Sequence, residues 1–149
     1  MPGMYEITVP VYERMLTNLV NCLEKAEGFA KERNFDADMF VQSRLAVDMF
    51  PLTAQIILVS DFCCRSMGRL SDTEFPKFVD DENTIADLYE RIEKTLEFIR
   101  GFKPEQIDGT EDKTISFEVR GKTLNMTGLD YIRHFILPNL YFHITTTYN

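Results

Sequence analysis

Apolar positions recur every three or four residues along most of the chain, which is the pattern of amphipathic helices. The first such stretch runs from Pro10 to Glu32, where the proline suits a first helical turn. We expect its buried side to consist of Tyr12, Met15, Leu19, Cys22, Leu23, Ala26 and Ala30. A second stretch, from Pro51 to Arg69, is apolar on nearly all sides and therefore predicts a helix at the centre of a bundle.

The third helical pattern is followed by a change of period. It begins at Thr84, which is spaced from Asp87 like a capping box, and ends at Gly101. From Thr114 to Met126 the apolar residues alternate with polar ones, which predicts a β-hairpin insert at about residues 113–126. A two-stranded hairpin is marginal alone, so we expect its apolar face to lie on the bundle.

A fourth helical pattern extends from Leu129 to the end of the sequence, and we expect it to be bent near Pro138. The sequence contains no internal repeat or linker, so residues 1–149 are predicted to form one domain. The predicted fold class is all-α: an up-down four-helix bundle with a small β-hairpin between the third and fourth helices.

Charge and composition argue against nucleic acid and membranes as binding partners. The net charge of −8 argues against a nucleic-acid or anionic membrane surface. The longest apolar run, Ile56-Ile57-Leu58-Val59, is far shorter than a membrane span, and the N-terminus lacks the pattern of a signal peptide. Three cysteines cannot form a complete disulfide framework, so we expect free thiols and a cytoplasmic protein. A redox or metal-binding role of the neighbouring Cys63 and Cys64 is the alternative.

The closing segment, Pro138 to Asn149, holds one of the only two histidines, His143, among aromatic and hydroxyl side chains. The other, His134, lies nine residues earlier. Nine residues turn a straight helix through about 900°, which places the two rings on opposite faces. They cannot share a metal without a break between them, and Pro138 is the only obvious breaker.

A family resemblance covers almost the whole chain. It rests on Asp48-Met49-Phe50-Pro51-Leu52 with Gln55, on Asp61, Arg69-Leu70, Glu82, Thr84, Leu88, Arg91-Ile92 and Thr95, and on Leu137-Pro138-Asn139, Tyr141-Phe142-His143, Thr145-Thr146 and Tyr148. Together these residues resemble a family labelled a domain of unknown function, which is similar to the DinB/YfiT-like four-helix bundles. The resemblance implies a homodimer. Members of the family continue beyond this point, so we expect the C-terminus to be truncated.

The resemblance also bears on metal binding. DinB-like bundles often bind a divalent metal through one histidine of the second helix and a His-x-x-x-His pair of the last. Here position 147 is threonine, position 139 is asparagine and the second helix has no histidine. We therefore predict no metal; a divalent ion would have to be held by His143 with Asp48, Gln55 or Asp61, a weak set of ligands.

Three interpretations of the polar residues remain open, and the first is this weak metal site. The second is a metal-free pocket for an unidentified small molecule, in which His143 could act as a general base. The third is a polar network in which these groups only satisfy buried backbone or one another. The candidate residues are Asp48, Gln55, Asp61, Asn139, Tyr141, His143, Thr146 and Tyr148.

Two functions from different classes follow. The first is a metal-free small-molecule-binding or stress-related bundle, and the alternative is a metal-dependent, thiol-linked transferase or hydrolase of DinB-like type.

Arg91 and Thr95 are one turn apart on the third helix, and we expect them to bind Asp61 or Asp48 in a structural role.

Overall fold

The computed structural model describes residues 2–149. Its α-helices are α1 (Val9–Arg33), α2 (Leu52–Ser71), α3 (Ile85–Arg100), α4 (Pro104–Ile107), α5 (Gly128–Asp130) and α6 (Leu137–Tyr148). A 3₁₀-helix covers Ala37–Phe40 and a π-helix covers Tyr131–Ile136. The two strands are β1 (Thr114–Val119) and β2 (Lys122–Thr127).

The four long helices form the predicted bundle. Both α1 and α2 pack against α3 and α6, so the first two helices of the chain occupy opposite corners. The Tyr12 hydroxyl of α1 and Ser66 Oγ of α2 meet across the buried centre at 2.9 Å. Fully buried side chains around them include Leu16, Leu19, Ile56, Met67, Leu88, Ile92, Tyr131 and Leu140. No helix within residues 2–149 has both the length and the apolar character to cross a bilayer.

The buried side of α1 differs from the predicted one. Leu16 is fully buried, whereas Met15 is only half-buried, because the face that meets α3 and α6 is rotated by about one residue. Cys22 and Ala26 are also only half-buried. They border an open cleft instead of the core.

Local signals at the helix ends are confirmed. Thr84 Oγ1 accepts a hydrogen bond from the Asp87 amide at 3.1 Å, and Asp87 Oδ2 accepts one from the Thr84 amide at 2.9 Å. This is the predicted capping box. The last carbonyls of α2, at Arg69 and Leu70, accept hydrogen bonds from Lys113 Nζ at 3.0 and 2.8 Å.

The hairpin lies on the bundle as predicted. The strands pair antiparallel, and the turn residues Arg120 and Gly121 have φ of +50° and +76°, which closes a two-residue turn. The Phe117 ring lies 4.8 Å from the Tyr131 ring and 4.6 Å from the Phe135 ring, centroid to centroid. Aromatic packing on the π-helix therefore supplies the support that two strands lack.

The break expected at Pro138 takes a different form. The π-helix precedes α6, and Pro138 lies in the first turn of α6. A proline inside an α-helix collides with the carbonyl four residues earlier, here that of His134, which belongs to the π-helix. The Asn139 side chain donates to the Phe135 carbonyl at 2.6 Å, so it satisfies a main-chain group beside the transition.

Candidate functional site

A cleft of about 460 Å³ opens between α1, the 3₁₀-helix, the start of α2 and the end of α6. Its size falls within the range of small-molecule sites, and most of its surface is apolar. The apolar walls come from Ala26, Phe29, Phe40, Leu45, Phe50 and Leu52. The remaining lining residues are Cys22, Lys25, Ser43, Arg44, Gln55, Thr146, Thr147, Tyr148 and Asn149.

The polar group at the inner end of the cleft is the Gln55 amide, which is buried. His143 Nδ1 lies 2.6 Å from Gln55 Oε1, and Gln55 Nε2 donates to the Phe50 carbonyl at 3.2 Å. An amide oxygen can only accept, so the Nδ1 of His143 carries the proton. The first bond joins α6 to α2, and the second joins α2 to the loop before it. Together they fix the orientation of the Gln55 amide.

The imidazole of His143 is buried between aromatic rings. The Phe62 ring is stacked on it at 5.8 Å, and the Phe142 ring meets it edge-on at 5.1 Å. Burial lowers the pKa of His143, so the ring is neutral at neutral pH. His143 itself does not line the cleft; it acts there through Gln55.

The hydroxyl groups of Thr146 and Thr147, which follow His143, form hydrogen bonds within α6. Thr146 Oγ1 donates to the Phe142 carbonyl at 2.8 Å, and Thr147 Oγ1 donates to the His143 carbonyl at 2.9 Å. These are ordinary bonds of helical threonines. Both residues still line the cleft, together with Tyr148, which is 70% exposed.

The other predicted site residues lie outside this cleft. Asp61 binds Arg91 and Arg65 at 3.0 and 2.8 Å, and Asn139 binds the Phe135 carbonyl. Tyr141 is exposed on the outside of α6, and Asp48 is exposed in the loop before α2. The structure thus brings together Gln55, His143, Thr146 and Tyr148, and it leaves Asp48, Asp61, Asn139 and Tyr141 apart from them.

Comparison with known proteins identifies the family and supports the fold. The family model described as Domain of unknown function (DUF1993) matches residues 4–149. The chain belongs to the DUF1993 family. The fold of this DUF1993 chain is similar to the crystal structure of a DinB family member from Shewanella denitrificans, with a TM-score of 0.85 and 36% identity over 97% of this chain and 82% of that one. The predicted place of the family among DinB-like bundles is confirmed. No curated protein matches the chain.

Sequence reasoning missed the α1 and loop side of the DUF1993 cleft. Cys22, Lys25, Ala26 and Phe29 line it at spacings of one helical face. Of these four, Cys22 and Ala26 belong to the expected buried side of α1, and the structure places them at the cleft instead. Arg44 and its neighbours come from a loop without periodicity, so no pattern could place them.

The donor set of this DUF1993 chain does not fit the three-histidine metal site of DinB-like bundles. Within residues 2–149, no three His, Cys, Asp or Glu side chains converge as ligands. The Nδ1 of His143 is engaged by Gln55, and the exposed His134 lies beside Asp130 at 3.6 Å. No chemical step through a metal follows from these residues. A nucleophile is also missing from the described contacts of His143, none of which is with a serine or cysteine.

A second buried polar cluster in the DUF1993 fold surrounds Arg91. Its guanidinium donates to Glu82 Oε1 at 2.8 Å, to Asp80 Oδ1 at 3.0 Å and to Asp61 Oδ1 at 3.0 Å. The predicted contact of Arg91 with Asp61 is confirmed, whereas Asp48 takes no part. The prediction for Thr95 is wrong, because its hydroxyl meets Ser60 Oγ at 2.7 Å instead of an aspartate. Arg91 also donates to Ser60 Oγ at 2.9 Å. These bonds hold the irregular segment 73–83 against α2 and α3, which is a structural role.

Proposed function

We propose that this protein binds a small molecule with an apolar body in the cleft, without a metal and without catalysis. The observation that carries the proposal is the Gln55 amide, held by His143 at the inner end of an apolar cleft of about 460 Å³. Small-molecule sites commonly combine apolar walls with a few fixed polar groups. Such a group orients a ligand at little entropic cost because it is already ordered.

The Gln55 amide has hydrogen-bonding capacity left for a ligand. Its oxygen has two lone pairs, of which His143 uses one, and its nitrogen has two hydrogens, of which the Phe50 carbonyl takes one. One acceptor and one donor therefore remain. His143 does not line the cleft and reaches it only through Gln55, which favours a binding role over general base catalysis.

Cys22 provides a direct assay of occupancy. Cys63 and Cys64 are buried in the bundle, whereas Cys22 is half-buried and lines the cleft. Burial raises the pKa of the Cys22 thiol, so the labelling rate with a disulfide reagent should be followed at about pH 8. We expect 4-phenylbutanol, used as a neutral apolar probe, to slow labelling in proportion to its occupancy of the cleft.

Replacing either of two alanines by phenylalanine gives a test variant and its matched control. Ala26→Phe fills the cleft, so this variant should no longer respond to the probe; Ala86→Phe adds the same ring on an exposed position of α3 and should respond like the wild type. The proposal is wrong if the probe protects Cys22 equally in both variants, or if no protection occurs in the wild type at millimolar probe.

The homodimer and the cytoplasmic location belong to the same proposal. Tyr141 and Phe142 expose aromatic surface on α6, which a second copy could cover. Free cysteines in all three positions agree with a reducing compartment. Light scattering coupled to gel filtration tests the dimer: a monomer mass at micromolar concentrations would contradict it.

A further inference from the structure

The charge of the cleft is opposite to that of the protein. The chain has 24 acidic and 16 basic residues, yet no aspartate or glutamate side chain of residues 2–149 lines the cleft. Two cationic side chains do, Lys25 from α1 and Arg44 from the loop before α2. A cationic cleft on an acidic protein selects ligands by charge as well as by shape.

Both cations lack a carboxylate partner within residues 2–149. Neither Lys25 nor Arg44 forms an ion pair, although Arg65, Lys94 and Arg100 all do. Arg44 Nη1 donates to the Met49 carbonyl at 2.7 Å, which anchors the side chain and leaves its other donors for a ligand.

We propose that the occupant of the cleft is an amphipathic monoanion, a free carboxylic acid with an aromatic or aliphatic body. This inference rests on the proposed function and names the ligand class. The body would lie against Phe29, Phe40 and Phe50, and the carboxylate would bind between Lys25 and Arg44. The planar guanidinium fork matches the two oxygens of a carboxylate.

The expected preference for an anion is moderate because both cations are exposed. An exposed ion pair changes a dissociation constant by up to about fivefold, so two cations give a preference of about threefold to twentyfold over a neutral ligand. The preference should shrink as the salt concentration rises from about 0.05 to 0.5 M, since exposed charges are then screened.

Isothermal titration calorimetry with three ligands of the same body tests the inference: 4-phenylbutanoate, 4-phenylbutanol and 4-phenylbutylamine. The carboxylate should bind most tightly and the amine most weakly. In the double variant Lys25→Gln/Arg44→Gln the carboxylate should fall to the affinity of the alcohol, while binding of the alcohol stays unchanged.

The control is Arg14→Gln/Lys122→Gln, which removes the same charge from exposed positions outside the cleft and should retain the preference. Equal binding of carboxylate and alcohol to the wild type would overturn the inference and leave the proposed function standing. Loss of the preference in the control variant would assign it to the overall field of the protein and also overturn the inference. If none of the three ligands binds, the proposed function fails as well.

Discussion

Replacing Arg91 by methionine should lower the free energy of unfolding by about 3 kcal/mol. Methionine keeps most of the volume of the side chain, so the substitution tests the charge and its hydrogen bonds more than the packing. Only 2% of the arginine side chain is exposed. Within residues 2–149, its loss leaves no cation in contact with the buried carboxylate of Glu82.

The magnitude follows from the exposure of the three carboxylates. The Glu82 side chain is 7% exposed, and no group in the described part of the chain hydrogen-bonds to its Oε2. Without Arg91 this carboxylate therefore becomes a buried, unpaired charge. Breaking a buried pair in this way costs about 3 to 5 kcal/mol. Asp80 is 60% exposed and returns to water, and Asp61 keeps Arg65, so each adds less than about 1 kcal/mol. We therefore expect the lower end of the range.

Urea unfolding followed by far-UV circular dichroism measures the effect. Arg65→Met is the matched control, because Arg65 binds the same Asp61 from an exposed position and should cost below about 1 kcal/mol. Glu82→Gln in the Arg91→Met background removes the unpaired charge and should restore about 1 to 2 kcal/mol. The reasoning is refuted if Arg91→Met lies within about 1 kcal/mol of the wild type, or if Glu82→Gln restores nothing.

Three further predictions concern other parts of the bundle. Gly28→Ala should raise the free energy of unfolding by about 0.5 to 1 kcal/mol, since no part of residues 2–149 outside its own stretch of helix lies within 4 Å of the new Cβ. Gly128→Ala should lower it by more than about 1 kcal/mol because the new Cβ meets the Thr110 carbonyl. Equal urea midpoints for the two variants would contradict this. Thr84→Ala should cost about 1 kcal/mol through loss of the capping bond, and an unchanged midpoint would show that the cap contributes nothing. The pKa of His143 is lower in the native state than in the unfolded chain, so on acidification the unfolded chain takes up a proton first. The stability that comes from this neutral imidazole is therefore complete above about pH 6.5. It is lost as the pH falls from there through the lower native pKa. The stability difference between wild type and His143→Gln should therefore change between about pH 7 and 5, and a constant difference in urea titrations would be evidence against a buried neutral ring.

Features that depend on neighbouring residues could be predicted from the sequence. The capping box of Thr84 and Asp87 spans three positions, and the turn at Arg120-Gly121 lies between two short alternating runs. Each is decided by backbone groups within one turn of the chain. The family resemblance extended this reach to Gln55 and His143, which are 88 positions apart.

Features that depend on irregular stretches of the chain could not be predicted from the sequence. Arg44 reaches the cleft from a loop whose course is set by long-range contacts, such as the bond from the Thr53 amide to the Val41 carbonyl at 3.0 Å. Asp61 is a predicted pocket residue because, like Gln55, it is a polar residue of the apolar second helix. Six positions correspond to about 600° of helical rotation, which turns Asp61 toward Arg91 and away from His143.

The π-helix makes the length of one short segment a determinant of the whole site. A π turn holds about one residue more than an α turn, so the segment from Tyr131 to Ile136 is equivalent to a single inserted residue. Removing one residue there would let a regular α-helix form, but it would rotate everything before it by about 100° relative to α6. Tyr131 would then leave Phe117, or His143 would leave Gln55, because the hairpin and the cleft lie on either side of the segment. Length variants of these six positions, rather than substitutions in them, are thus the changes that would uncouple the two halves of the last helical run.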